Sequence, residues 1–267
     1  MNSLSRECSP GIGIRNFLLL ISLLSLSPKV YTQRGVIYET LEISPENYEN
    51  VYHLKLVNLH LDSIPKKIYL FKNLEKLDLA RNNLKSIPDG IGRLKKLRFL
   101  FLMFNNISTI SDSISQLKSL ETLDLTENQL SEIPSSVSTL SNLIFLNVSY
   151  NKINALPDNM YKMSKLKYLK LDNNELTSLP KSIGKLPSII EIHLVGNYLT
   201  KLPKDFGNLT SLKKVYLKYN RITKIPDSFK NLKSLNTLDL SHNELSEEEM
   251  ARIKKLFSDK CKNYLFL

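Results

Sequence analysis

Apolar residues recur at a fixed spacing along most of this chain. From Val51 the sequence divides, without insertion or deletion, into nine copies of 23 residues starting at Val51, Leu74, Leu97, Leu120, Leu143, Leu166, Ile189, Leu212 and Leu235. Places 1, 4, 6 and 11 of the copy are apolar in all nine, and places 14, 18 and 21 in the first eight. Places 4 and 6 alternate with outward-facing neighbours, as in a short strand, while the L-x-x-I-P-x-x-I-x-x-L half predicts a tight bend and a loose helical or extended return. One copy cannot bury its own apolar face, so the copies must stack and bring all the strands into one parallel sheet. Place 9 is Asn in eight copies, from Asn82 to Asn243. That spacing buries an amide where the strand ends, and a stacked ladder of amides can satisfy the open backbone groups of the adjacent turn. Place 15 is Pro in seven copies, such as Pro88 and Pro134, where a fixed φ suits the bend.

The consensus LxxLxLxxNxLxxIPxxIxxLxxL over residues 51–245 resembles the leucine-rich repeat superfamily in its 23-residue, Pro-containing subtype. Its Asn- and Lys-rich style, with the terminal SEEEMARIKKLFSDKCKNYLFL, is most similar to secreted members from pathogenic spirochaetes. The resemblance implies an α/β fold: a right-handed solenoid, or horseshoe, with a parallel β-sheet on the concave face and short helical or extended segments on the convex face. It also implies partner binding on the concave sheet, without a cofactor. Two departures mark the ends of the array. Copy 1 has Leu59 at the Asn place, and copy 9 runs from Leu245 into a segment whose acidic start and basic later turn suit a helix dipole. Residues 33–50 are therefore expected to cap the first copy, with Ile37, Leu41 and Ile43 turned inward, and residues 246–267 to form a helical cap and a short strand.

Residues 1–32 change the picture of where the protein works. Arg6 and Arg15 precede the apolar run Phe17 to Leu26, which is followed by SPKVYTQ. This is the order of a secretory signal peptide, with cleavage expected after Thr32 and a mature start at Gln33. The run is too short to span a bilayer, so no transmembrane anchor is expected, and the mature product is assigned outside the cytoplasm, secreted or at the cell surface or periplasm. Only Cys261 would remain of the two cysteines, which excludes an internal disulfide and points to a buried structural thiol. If residues 1–32 are not a signal, the alternative is an intracellular signalling scaffold.

No catalytic constellation is evident. His53, His60, His193 and His242 lack a carboxylate or Cys at metal-ligand spacing, and are expected to be solvated. GIGIRN at Gly11 lacks the Gly-Lys of a phosphate loop. Neither an enzyme, a metal site nor a nucleic-acid partner is expected. Three Asn-x-Ser/Thr sequons occur, at Asn106, Asn147 and Asn208, the second on the concave side.

Function is then sought on the variable surface. Places 3, 5, 7 and 8 should face away from the core, on the concave side. In copy 3 they are Phe99, Phe101, Met103 and Phe104, joined by Phe145 and Tyr150 in copy 5 and Tyr168 in copy 6. Strand spacing confines this cluster to roughly 14 Å, and nothing in the repeat asks for aromatics there. A protein-binding patch lying outside the core is expected, because contiguous exposed apolar surface usually marks interaction. Lys214, Tyr216, Lys218 and Tyr219 form a second, cationic cluster. The net charge of +11 is one-sided. Lys95, Lys96, Lys162, Lys165 and Lys185 fall just before the strands, with no acid among them at those places, and line a ridge on the solenoid's back and flank. That ridge is a candidate for a glycosaminoglycan or polysaccharide, or simply a solvated surface.

Overall fold

The computed structural model describes residues 35–257 and 265–267. The chain divides into two units, Met1–Val36 and Ile37–Leu267, and all the repeats belong to the second. The expected signal peptide, its cleavage site and Cys261 lie outside the described residues.

Each copy supplies a three-residue strand at places 3 to 5, from His53–Lys55 to Thr237–Asp239. Neighbouring strands pair in parallel and in identical register, so that Leu77 aligns with Leu100, Leu123 and Leu146. With Ile37–Tyr38 at one edge and Leu265–Phe266 at the other they form an 11-stranded parallel sheet. The return path of copies 1 to 8 carries a short 3-10 helix, such as Lys66–Leu70 or Asp227–Asn231. Pro65, Pro88, Pro180, Pro203 and Pro226 cap these segments with φ between −60° and −83°, the range the pyrrolidine ring imposes. Ser111 replaces Pro in copy 3 and keeps the turn by accepting a hydrogen bond from the Ser113 N–H at 3.1 Å.

Between sheet and return path runs one continuous core of the repeating apolar places, nearly all below 9% exposed. The Asn ladder holds its sheet side. Asn128 Nδ2 donates to the Leu102 carbonyl of the preceding copy at 2.9 Å and to its own copy's Leu125 carbonyl at 3.0 Å, while its Oδ1 accepts from Ile107 N–H at 2.8 Å. Asn82, Asn105, Asn151, Asn174, Asn197 and Asn220 repeat the pattern. Copies are thereby joined by side-chain bonds that only this amide, at this depth, can make.

One position near the N-terminal end differs from expectation. Ile43 is buried and Leu41 packs on the core, but Ile37 is 56% exposed. The edge strand aligns Ile37 with outward-facing His53 and Tyr38 with inward-facing Leu54, so Tyr38 takes the inward place, since a parallel partner shares the facing of the residue beside it. At the other end, helix Glu247–Leu256 starts on Ser246, whose hydroxyl accepts from Glu249 N–H at 3.1 Å. Glu249 in turn reaches back, accepting from Ile225 N–H at 3.0 Å and holding Arg252 at 2.6 Å, which ties the helix to copy 8.

Candidate partner-binding site on the concave face

Places 3, 5, 7 and 8 line the sheet face away from the core, and the structure sorts their aromatic residues into two groups. Tyr150 and Tyr219 are each 52% exposed, and Phe99, Met103, Phe104, Tyr168 and Tyr216 are half-buried. Phe101 and Phe145, expected outside the core, are buried at 3% and 2%. They do not join the main core but are covered on the concave side itself. The Lys76 ammonium lies 5.4 Å from the Phe101 ring centre, Lys170 lies 5.9 Å from that of Phe145, and Tyr168 tilts against Phe145 with ring centres 6.5 Å apart. Strands under 5 Å apart leave large side chains no room except over one another, which the place-by-place reading does not capture.

A buried polar group sits among these rings. Asp124, at place 5 of copy 4, is 2% exposed and accepts from the Thr126 N–H at 2.9 Å and its hydroxyl at 2.5 Å. Burial pushes its carboxyl up from 3.8 to about 6 against these bonds and the distant pull of Lys170. Asn147, aligned with it in the next strand, is also buried, so the sequon there offers no accessible amide, whereas Asn106 and Asn208 are exposed.

Towards the C-terminal half the face becomes ionic. His193, expected to be solvated, is held within 2.5 Å of Glu191 and 3.5 Å of Asp172, and its ring lies 4.4 Å from that of Tyr216. Burial works against the charged imidazole, but the two carboxylates outweigh it and raise its pKa. For Glu191, burial raises and the His193 and Lys214 charges lower, leaving a net depression. Tyr219 packs edge-on against His242 at 4.4 Å and under Lys218 at 4.8 Å. Among the described residues no cluster could hold a metal ion.

Place 8 has a backbone signature that side-chain patterning does not disclose. Asn58, Arg81, Phe104, Glu127, Tyr150, Asn173, Tyr219 and His242 all have φ between 52° and 59°, and Gly196 completes the series at 67°. The chain turns out of the sheet there in the left-handed region, which aims these side chains along the rim of the concave face.

Models of leucine-rich repeat regions match residues 89–166 and 157–258, and a further leucine-rich repeat model matches residues 49–107. The chain belongs to the leucine-rich repeat family. Members of this family are typically non-enzymatic scaffolds for protein interaction. Among solved structures, this repeat protein is similar to the ectodomain of the receptor kinase GASSHO1/SCHENGEN3 from Arabidopsis thaliana, solved with CASPARIAN STRIP INTEGRITY FACTOR 2, at 30% identity over 78% of this chain and 26% of that one, TM-score 0.64. It is similar to the plant peptide hormone receptor RGFR1, solved with RGF2, at 29% identity over 72% of this chain and 35% of that one, TM-score 0.58. It thus spans about a quarter and a third of those two receptor chains. A leucine-rich repeat protein of Leptospira interrogans aligns at 24% identity over 84% of this chain and 86% of that one, TM-score 0.45. No curated protein sequence matches. No helix among the described residues is long and apolar enough to cross a membrane.

The ridge lysines of this leucine-rich repeat protein stand exposed and make neutral contacts. Lys95 reaches the Gln116 side-chain oxygen at 2.5 Å, Lys96 that of Asn73 at 2.7 Å and Lys165 that of Asn142 at 2.8 Å, while Lys185 lies 5.7 Å from the Tyr161 ring centre.

Proposed function

We propose that this protein is an exported, non-enzymatic binding module whose concave sheet recognises another protein. The observation that carries this reading is the set of part-exposed rings Phe99, Phe104, Tyr150, Tyr168, Tyr216 and Tyr219 at places where the fold needs no aromatic residue. Rings that keep an exposed edge are the usual anchors of interfaces. The two plant receptors, each solved with a peptide or factor bound, support the reading by likeness. A host-surface or matrix protein fits the spirochaetal style of the repeats and the signal-like residues 1–32. Parallel capture with wild type and the double variant Phe99→Ala/Tyr168→Ala tests it, with melting as the control. The reading predicts that a partner identified with wild type is lost while the variant is still folded at the assay temperature, and equal capture of that partner by both proteins would refute it. The intracellular alternative is separated by sequencing the N-terminus of the native protein, where an intact Met1 would exclude export by cleavage.

A second reading concerns the ridge. Among the described residues Lys95, Lys96, Lys162, Lys165 and Lys185 form no ion pair with a carboxylate, so their charge stays available to an extended polyanion such as a glycosaminoglycan. Heparin retention that falls with salt, drops on charge reversal at Lys95, Lys96, Lys162 and Lys165 and survives Phe99→Ala would support it. Elution below physiological salt, unchanged by the reversals, would leave the ridge as a solvated surface.

A further inference from the structure

In a chain of net charge +11, copy 4 contains no Lys or Arg, and carries Glu121, Asp124, Glu127 and Glu132. Glu121 is neutralised by Arg98 through bonds of 2.8 and 3.1 Å, and Asp124 is buried. Glu127 is different: it stands exposed at place 8, and among the described residues no ion pair to it is found. On either side, at the same place of copies 3 and 5, stand Phe104 and Tyr150. The three line one open cavity of about 540 Å³, with Asn106 and Gln129 also on its wall. With strands about 4.8 Å apart, the two ring-bearing residues are separated by roughly 10 Å of backbone, and the carboxylate lies between them. Arg81 already stacks on Phe104 at 4.5 Å, but it comes from copy 2, the side away from Glu127.

We propose that this notch receives an arginine side chain of the protein partner. A carboxylate between two aromatic side chains complements a flat cation, which can stack on a ring while its fork of N–H groups meets the carboxylate. The side-chain oxygens of Asn106 and Gln129 offer further acceptors, which suits five donors better than the three of an ammonium. The absence of Lys and Arg from copy 4, in a chain of net charge +11, keeps this stretch open to a positive group. The proposal rests on the reading of the concave face as a protein-binding surface and adds the chemistry of the group that enters it.

The test uses the isotope-labelled full chain and a capped Ala-Ala-Arg-Ala-Ala peptide, with citrulline and lysine versions as controls, followed by amide shifts of residues 103–106, 127–129 and 150–152. The arginine peptide should give saturable shifts with a dissociation constant in the millimolar range, on the order of what one ion pair with stacking supports. The lysine peptide should bind more weakly, the citrulline peptide should give no saturable shifts, and Glu127→Gln should weaken arginine binding about fivefold or more with unchanged melting. Equal shifts from citrulline, arginine shifts indifferent to Glu127→Gln, or no saturation with arginine would overturn the notch. The parent reading fails separately. A partner lost in Phe99→Ala/Tyr168→Ala but captured unchanged by Glu127→Gln keeps the concave reading and sinks the notch. Arginine-peptide binding at Glu127, with capture of the partner insensitive to the aromatic double variant, keeps the notch and sinks the concave reading.

Discussion

Replacing Asp124 by Asn should stabilise the folded protein at neutral pH and lose that advantage in acid. In the unfolded chain this carboxyl titrates near 3.8, and in the folded chain near 6, because burial between the strands of copies 3 and 5 disfavours the charged form. A folded pKa raised above the unfolded one means that the native state binds the proton more tightly. Stability from this group is therefore full below pH 3.8, falls between 3.8 and about 6, and stays lowered above. A gap of about two units corresponds to about 3 kcal/mol at pH 7, an upper bound because the strands can relax. The amide of Asn can keep the acceptor role towards the Thr126 N–H, now at 2.9 Å, but its new N–H₂ meets the Asn147 side chain, which donates to the carboxylate in the wild type. Some of the gain will be lost if that contact is poor, so the decisive quantity is a double difference. Urea midpoints of wild type and Asp124→Asn, measured at pH 7.5 and 3.5, should show the variant more stable relative to wild type at 7.5 by about 1 to 3 kcal/mol than it is at 3.5. Other carboxylates titrate in the same range but cancel between the two proteins. An equal offset at both pH values would refute the account of Asp124 as a buried, costly charge.

The burial of Phe101 predicts that Phe101→Ala lowers stability by about 3 kcal/mol, so any loss of partner capture in it reports unfolding as well as contact; calorimetry beside the exposed variant Tyr150→Ala checks the contrast. Asn128→Ala leaves the buried Ile107 N–H without its acceptor and takes one of two amide donors from the Leu102 and Leu125 carbonyls, which keep Asn105 and Asn151, and should cost about 2 kcal/mol, with hydrogen exchange rising locally across copies 3 and 4. His193, with its pKa raised by Asp172 and Glu191 against burial and Lys170, stabilises the fold below pH 6.5 and loses that contribution as pH rises through its higher folded value. His193→Gln should flatten this alkaline fall, read as melting temperature from pH 6 to 9.

The repeat arithmetic was enough to specify the strands, their parallel register, the amide ladder and the proline-capped return, because each of those depends on a residue's place within its own copy. What it could not specify depends on neighbours one copy away. Phe101 and Phe145 share the outward places of Phe99 and Tyr168, yet are covered because Lys76, Lys170 and Tyr168 fold over them. His193 reads as a lone histidine until the register sets Asp172 and Glu191 beside it. Tyr38 and Ile37 exchanged roles through a pairing offset of one residue that composition could not fix. The empty stretch of positive charge in copy 4 was legible in the sequence all along, but only the cavity between Phe104 and Tyr150 gives it a shape.

Place 8 links the fold's needs to the surface it offers. All nine copies turn there in the left-handed region, where Gly is at ease and Asn tolerable, while a bulkier residue loses about 1 kcal/mol or more. Gly196 shows that the turn can be made without that loss, and Asn58 and Asn173 come close to it. The backbone turn itself is therefore not favoured by Phe104, Glu127 and Tyr150 at this place, and Asp124 beside them is a second local loss. Arg81, Tyr219 and His242 carry the same backbone strain, but copies 3 to 5 gather it where two ring-bearing residues and a carboxylate line one cavity. Backbone strain that coincides with such a cavity is a mark of sites held for a ligand. Phe104→Gly and Tyr150→Gly should accordingly leave the protein as stable as wild type or slightly more so, while removing the arginine-peptide shifts. Destabilisation by both would show that these rings support the sheet, and that the rim owes its aromatic residues to packing.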